Sequence, residues 1–412
     1  MFVFQNKQLT FRIALLICAI VFGVWPYVDK VLHVPTFGLS DFAVFYSAAQ
    51  VIDGTVAVEA PEIYIRKFFF PLVEALRPTS GGTKFLYPPQ AAVLFAPFAL
   101  FPFATANALW IFFNVAMLIC TYYAIIRFLL HDDITKLRYS IFLAIFLRFS
   151  VAHELLRTGQ INGVVLALLV LTIIALEKKK MRSGVPLALA TSIKIFPGVY
   201  ALLLVAKKQW RAFAVYCAAM FALWLATVPF FGWLGLLHFY EHPLKKILAG
   251  TINNPAASAS LYGLLIRVVN TMHLQHAHTI VVVGGNALTV LLAVSLLCIA
   301  FLFMRGRMNT LFAYCFFTCA VLLFSKFTQT QYALYLLPLA LLMLQRVHIS
   351  RWVLSTLCIA ALYCALFWST VPALHTFFYK RLNLIGIVLA TIYLLLLTRN
   401  TKRDKLGAAR KK

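Results

Sequence analysis

Acids are scarce in this chain. Among its 412 residues only 12 are Asp or Glu, against 37 Lys and Arg. Half of the acids (Asp29, Asp41, Asp53, Glu59, Glu62 and Glu74) fall in one segment, 29–88. Charged residues make up 12% of the chain and hydrophobic ones 63%, with a mean hydropathy of +0.89. No soluble domain of this size tolerates that balance. Strand-period alternation is missing from the long apolar runs, which excludes an outer-membrane barrel and leaves helices. No glycine-rich loop of either common phosphate-cradling type occurs, so a soluble nucleotide is not the expected donor or cofactor. The eight cysteines all lie inside apolar runs without a loop pair, so neither a disulfide framework nor a metal site is indicated.

What is present is a succession of apolar runs of roughly 17–25 residues, the length that crosses a bilayer. The chain therefore reads as an all-α polytopic membrane protein. Its formal charge of +25 is carried at the ends of these runs, in Lys178-Lys179-Lys180, Lys207-Lys208, Arg305, Arg307 and the tail 399–412. Cytoplasmic loops under the positive-inside rule have this pattern. No basic face interleaved with stacking aromatics appears, so nucleic acid is not an expected partner. Membrane lipids are, with the tail beside anionic headgroups.

Residues 11–28 read as an uncleaved first span, followed by a first outer loop at 29–88. Two apolar runs between 90 and 128 are divided by Phe101-Pro102-Phe103, a break that allows only a tight turn. A charged link, 131–138, precedes runs 139–152 and 164–176. The stretch 184–206 is apolar but interrupted by Lys194 and Pro197. Run 212–231 leads to a second large outer segment, 232–278, and further runs fall near 279–304, 309–327, 329–345, 351–371 and 382–398. With the tail inside, 29–88 and 232–278 share the outer face. Between 88 and 206 two arrangements satisfy the count. Five full crossings give about twelve spans but place Lys178–Lys180 outside. Three crossings with two re-entrant hairpins, one broken at Lys194–Pro197, keep every basic cluster inside.

Five places carry groups able to do chemistry. Asp41 begins a segment, Leu39 to Gln50, in which Phe42, Phe45, Tyr46 and Ala49 recur at helical steps. That predicts a short amphipathic helix on the membrane surface, capped by Ser40 or Asp41. The acid is then either a cap or first-turn acid favoured by the helix dipole, or a general base in a wet, outward-facing cavity. Lys194 sits inside an apolar run, where a lysine costs about 2.5–3.5 kcal/mol and faces a cavity and a partner, or snorkels. Deep in the protein, its natural partner is an anion such as phosphate. Gly159-Gln160-Ile161-Asn162-Gly163 suits a helix break lining a pocket or touching sugar hydroxyls, and equally an interhelical contact. The outer segment offers His238, His242, Asn254, Ser258, Ser260 and Arg267. Arg267 is compatible with paired donation to a phosphate or with an interfacial anchor. The two histidines are four apart, but no third ligand is near them, so no metal is expected. The fifth place is the polar run from Ser325 to Tyr332 with Lys326.

The order of these features is itself informative. A span leads to Ser40-Asp41-Phe42, Tyr46, Ala48-Ala49 and Gly54, then Tyr87-Pro88-Pro89, Pro97, Phe101-Pro102 and Trp110. Gly159-Gln160-Ile161-Asn162, Lys194 with Pro197, Lys208 to Trp210-Arg211, and Asn254, Ser258 and Arg267 follow. From about residue 10 to 340 this resembles glycosyltransferase family 87. The resemblance implies one transmembrane domain over 1–398 and a basic cytoplasmic tail, 399–412. It implies a GT-C-type bundle of about 10–12 transmembrane helices, with amphipathic helices in the first outer loop. It also implies a polyprenyl-phosphate-linked sugar donor, a lipid or glycan acceptor, and inverting transfer of a mannose-like hexose at the outer face of the plasma membrane. Asp41 takes the role of base in this family pattern. Lys194 and Arg267 would stabilise the leaving phosphate. Tyr46, Tyr87, Gln160, Asn162, Asn254, Ser258, His238 and Lys326 are the expected substrate contacts, and no cofactor or metal is invoked. One departure stands out: near Ser325 the family shows a proline and then histidines, whereas this chain has Lys326, Gln329 and Gln331. Broken helices and a buried lysine also suit a transporter of a lipid-linked or anionic substrate. Such transporters, however, carry acids within their spans, and here only Glu154 is placed to be one. A membrane acyltransferase using His153 or His375 has no matching motif.

Overall fold

A computed structural model describes residues 2–33, 39–76, 85–149, 151–249, 258–272, 276–326 and 328–346, with positions 388 and 391. The run at 351–371, the rest of the run at 382–398, the tail, Asn254, His375, Cys358 and Cys364 lie outside the described residues. Those described are helical, joined by turns, and they divide into two compact units. The first is Met1–Val205 with Gln209–Ile252; the second is Ala206–Lys208 with Asn253–Lys412. Among the described residues three helices are long and apolar enough to cross a membrane, or up to five if each of two bent pairs counts as one span.

The first unit opens with α1 (Phe2–His33), which packs along α6 (Leu137–Phe149). Between them in sequence come α2 (Leu39–Asp53), α3 (Arg66–Leu76), α4 (Pro89–Phe95) and α5 (Phe103–Ala124). The sequence predicts α2 as a half-exposed surface helix, and the structure corrects this. Every side chain from Phe42 to Ala49 is buried, on all faces. The aromatic side stacks on its neighbours: Phe45 lies on Phe95 at 4.4 Å, and Phe42 lies on Phe103 and Trp110, each at 6.0 Å. The other side is built from Ala43, Ser47 and Ala48, small enough to let further elements come close. Tyr46 donates its hydroxyl to the Phe101 carbonyl at 2.8 Å, tying α2 to the Phe101–Pro102 turn. Of the cap and first-turn places, Asp41 takes the second, inside the first turn of the helix.

Helix α4 continues into a single 3-10 stretch, Ala96–Leu100. These twelve residues reach about 18 Å, well short of a bilayer core of about 30 Å. After α6 the chain bends by 41° into α7 (Val151–Thr158), then runs through α8 (Asn162–Glu177). Next come α9 (Gly184–Ile193), a 3-10 turn at Phe196–Tyr200 and α10 (Ala201–Ala206). The break expected at Lys194–Pro197 is there: Lys194 is extended (φ −141°, ψ 140°) and Pro197 sits in the first turn of the next piece.

Side-chain contacts show where these segments lead. Lys178, just past α8, lies 4.9 Å over Phe128, beyond the far end of α5. Lys194 bonds to Asn162 at the start of α8, and Gln209 returns to the Leu176 carbonyl near its end at 3.0 Å. Residues 184–206 thus run up to the Asp41 end of the unit and back.

Helix α11 (Trp210–Leu225) packs on α9, and Gly184 makes that possible, since a Cβ there would lie 2.3 Å from the Ala212 carbonyl oxygen. The run at 212–231 is not one straight span. The chain bends by 103° into α12 (Val228–Phe239). Ala226 and Thr227 between them stay in the right-handed helical region, and the non-helical residue is Gly232 (φ 64°, ψ 169°), a left-handed backbone that glycine permits. A π turn, Tyr240–Leu244, and α13 (Lys245–Ala249) follow. The second unit contains α14 (Leu261–Thr271), α15 (Ala277–Met304), α16 (Thr310–Phe324) and α17 (Leu337–Arg346).

Candidate active site

One cluster in the first unit gathers Asp41, Tyr87, Thr158, Gln160, Asn162 and Lys194. The element that assembles it is the link between α7 and α8. Helix α7 ends at Thr158, and Gly159 takes a left-handed conformation (φ +70°) that a side chain would strain. The Gln160 N–H then reaches back to the Leu155 carbonyl at 3.0 Å, closing a Schellman motif. The freed Gly159 carbonyl accepts from the Trp110 indole at 2.7 Å. That anchor fixes the direction of the next three residues.

Gln160 and Asn162 therefore face different partners. The Gln160 Oε1 accepts from the Tyr87 hydroxyl at 3.3 Å, which leaves its amide N–H groups for the Asp41 carboxylate. Asn162 presents Oδ1 to the Lys194 ammonium at 2.6 Å. Lys194 also lies 5.6 Å over the Tyr87 ring, and its positive charge acts on Asp41. Thr158 comes within hydrogen-bonding reach of Asp41; its one hydroxyl proton also has the Glu154 carbonyl to choose, at 2.9 Å. Burial pushes the Asp41 carboxyl above the usual carboxylate range. Gln160, Lys194 and Thr158 oppose that rise, and the charge of Glu154 adds to it. Glu154 itself is gripped on both oxygens by Arg157, at 2.6 and 2.7 Å.

Of the other expected contacts, Tyr46 and His238 belong to the first unit and Ser258, Arg267 and Lys326 to the second. Tyr46 is engaged at the Phe101 turn. His238 sits in the last turn of α12, half-buried, and the side chain of His242 is not among those described. In the second unit the Ser258 hydroxyl accepts from the Thr328 N–H at 3.0 Å and shares a proton with Ser260 at 2.9 Å. Arg267 donates to the Ser258 carbonyl at 3.0 Å, and Lys326 to Asn286 at 3.2 Å. Among the described residues no three of His, Cys, Asp and Glu come together as metal ligands. Thr158 and Glu154 were not expected as neighbours of Asp41. The signal for them was their place one and five residues ahead of a glycine that ends a helix.

The family model for glycosyltransferase family 87 matches residues 85–325, more than half of the chain. The chain belongs to glycosyltransferase family 87. The match starts just before Tyr87 and covers Gln160, Asn162 and Lys194, so most of the cluster falls within the family's own pattern. This member of the family is also similar to alpha-(1->3)-arabinofuranosyltransferases from two strains of Mycobacterium tuberculosis, CDC 1551 / Oshkosh and ATCC 25618 / H37Rv. Each is 29% identical over 149 residues, 35% of this chain and 34% of the relative. The match thus spans about a third of those proteins. The chain is thus a member of a glycosyltransferase family that carries helices apolar and long enough to cross a membrane.

Proposed function

We propose that the protein transfers a sugar from a polyprenyl-phosphate-linked donor to a lipid or glycan acceptor, with inversion, at the outer face of the plasma membrane. The observation that carries this reading is the pairing of Asp41 with Lys194 in one cluster, Lys194 buried and Asp41 half-buried. A base and a cation are the two groups that such a transfer needs. Asp41 takes the proton of the acceptor hydroxyl as its oxygen attacks the anomeric carbon. The bond from that carbon to the phosphate oxygen breaks, and polyprenyl phosphate leaves with the electron pair. Lys194 stabilises the charge that builds on it. A retaining double displacement uses a second free carboxylate close by. Glu154, the other acid acting on Asp41, is held on both oxygens by Arg157, which favours inversion. The sidedness follows from charge: Lys178 marks the end of the first unit away from Asp41, and basic loops stay inside.

The sugar is proposed to be a mannose-like hexose. The similar proteins are arabinofuranosyltransferases, so a pentofuranose is the competing donor. Incubating detergent-purified protein with a panel of labelled polyprenyl-phosphate sugars tests both points. Product should form without a nucleotide sugar and without a sealed compartment. Uptake into vesicles with no product in detergent would remove the transferase reading.

A further inference from the structure

Helix α5 meets the link between α7 and α8 at two points, one turn apart. Trp110 holds the Gly159 carbonyl at one end of the link. At the other end Asn114 faces Gly163, so closely that a Cβ added there would lie 3.2 Å from its Oδ1 and 3.6 Å from the Leu118 Cδ2. Asn114 is 1% exposed, and its amide N–H donates to the Trp110 carbonyl at 3.1 Å. Its Oδ1 has no hydrogen-bond donor among the described residues. A buried acceptor left in that state is costly, and a leucine of similar size would avoid the cost. What the oxygen meets is the first turn of α8, where Asn162 and Gly163 stand and no side chain caps the helix. That turn is the positive end of the helix dipole, and the glycine Cα–H is a weak donor. An amide oxygen is therefore attracted to this spot, and a residue without a side chain lets it come near.

We propose that Asn114 and Gly163 are positioning residues for sugar transfer, an inference that rests on the transferase reading. Between the Trp110 and Asn114 contacts lie Gln160 and Asn162, the side chains that hold Asp41 and Lys194. A grip on both ends of the link sets where these two amides point, and with them the spacing of the base and the cation. Asn114 thus acts through Gln160 and Asn162. The charged groups acting on Asp41 are Lys194 and Glu154, and Arg157 holds the latter. Gln160 and Lys194 both restrain the rise of the Asp41 carboxyl, so a loosened link weakens both restraints. Thr121 supplies an internal control. Seven residues on, it lies on the same face of α5, buried and with no partner for its hydroxyl among the described residues, but two turns away from the link.

The test compares Asn114→Leu, Gly163→Ala and Thr121→Val in the full-length protein. Two readouts are taken: backbone hydrogen exchange across the link, and steady-state transfer from a polyprenyl-phosphate sugar as a function of pH. Asn114→Leu removes an unpaired acceptor and should melt no lower than wild type, yet exchange over 160–163 should rise. Its kcat is expected to fall by about tenfold to a hundredfold, as for a small misplacement of reacting groups, with KM little changed. The acid limb of its pH profile should move to higher pH. Gly163→Ala should do the same, although alanine is the better helix former. Thr121→Val should change none of these. Unchanged exchange in both link variants overturns the proposal, whatever their activity. So does an unaltered kcat or an acid limb that stays in place. An equal loss of kcat in Thr121→Val overturns it in favour of general packing between α5 and α8. Wild-type protein that transfers no sugar fails the transferase reading, and exchange still decides whether Asn114 grips the link.

Discussion

Two aspartates of the first unit show how differently one side chain can be used. Asp132 lies in the link between α5 and α6. It accepts from Arg138 at 2.6 Å and from the Tyr139 hydroxyl at 2.8 Å, and Lys136 is bound to its other oxygen. Burial alone would raise its carboxyl. The bonds from Lys136, the Asp133 N–H, Tyr139 and Arg138 together outweigh that and hold it well below the usual carboxylate range. Asp41 is served by one cation, one amide and a shared hydroxyl, and burial prevails. The first is a saturated anion that ties a loop. The second keeps proton affinity, which a base requires.

Exchanging each carboxylate for an amide should separate the two most widely. Asp41→Asn is expected to leave a folded, membrane-inserted protein whose transfer rate falls by about 10²–10⁴, the usual range for a lost general base. Rates measured with the active donor check this; retained activity would end the assignment of Asp41 as base. Asp132→Asn should leave turnover near wild type. Next in size is Lys194→Met, expected to slow transfer by about 10²-fold through loss of charge stabilisation at the leaving group. It should also push the Asp41 carboxyl still higher.

The pH profile sharpens the contrast. A base works only when deprotonated, and the Asp41 carboxyl titrates above the ordinary carboxylate range. Activity should therefore fall, as pH is lowered, while ordinary surface carboxylates are still ionised. A limb that stays put in Lys194→Met would contradict the charge pairing. Asp132 works in the opposite sense. With its folded value depressed, its contribution to stability is present above the unfolded value of about 3.9 and is lost as pH falls toward the folded one. Asp132→Asn should cost about 1–2 kcal/mol at neutral pH, discounted because Lys136 and Arg138 remain partly exposed. Thermal melts at neutral and acidic pH, with the difference shrinking in acid, would bear this out.

Much of the architecture was legible in the residues themselves. A lysine three positions before a proline in an apolar run announces a broken helix. Gly159 followed by two amide side chains announces a helix end. The surroundings of α2 were not legible, because periodicity records one apolar face and says nothing about whether small residues opposite it will be covered. Ala43, Ser47 and Ala48 are neutral letters in a sequence and close contacts in the fold. For Gln160 and Asn162 the sequence leaves a pocket lining, a sugar contact and an interhelical contact open. The structure gives them Asp41, Tyr87 and Lys194, partners far away in sequence that no local pattern could name. Asp132 passed as part of a charged link for the same reason.

The Asp41–Lys194 pairing has a further consequence, for how the protein tolerates change. Removing either member leaves the other as an uncompensated charge in a site with little water, whereas removing both leaves none. In a thermodynamic cycle Asp41→Asn and Lys194→Met should therefore be strongly non-additive. The double variant is expected to melt closer to the wild type than the more damaged single variant does, while remaining inactive. Each residue thus constrains what its partner can become, and a chain that loses one gains little by keeping the other.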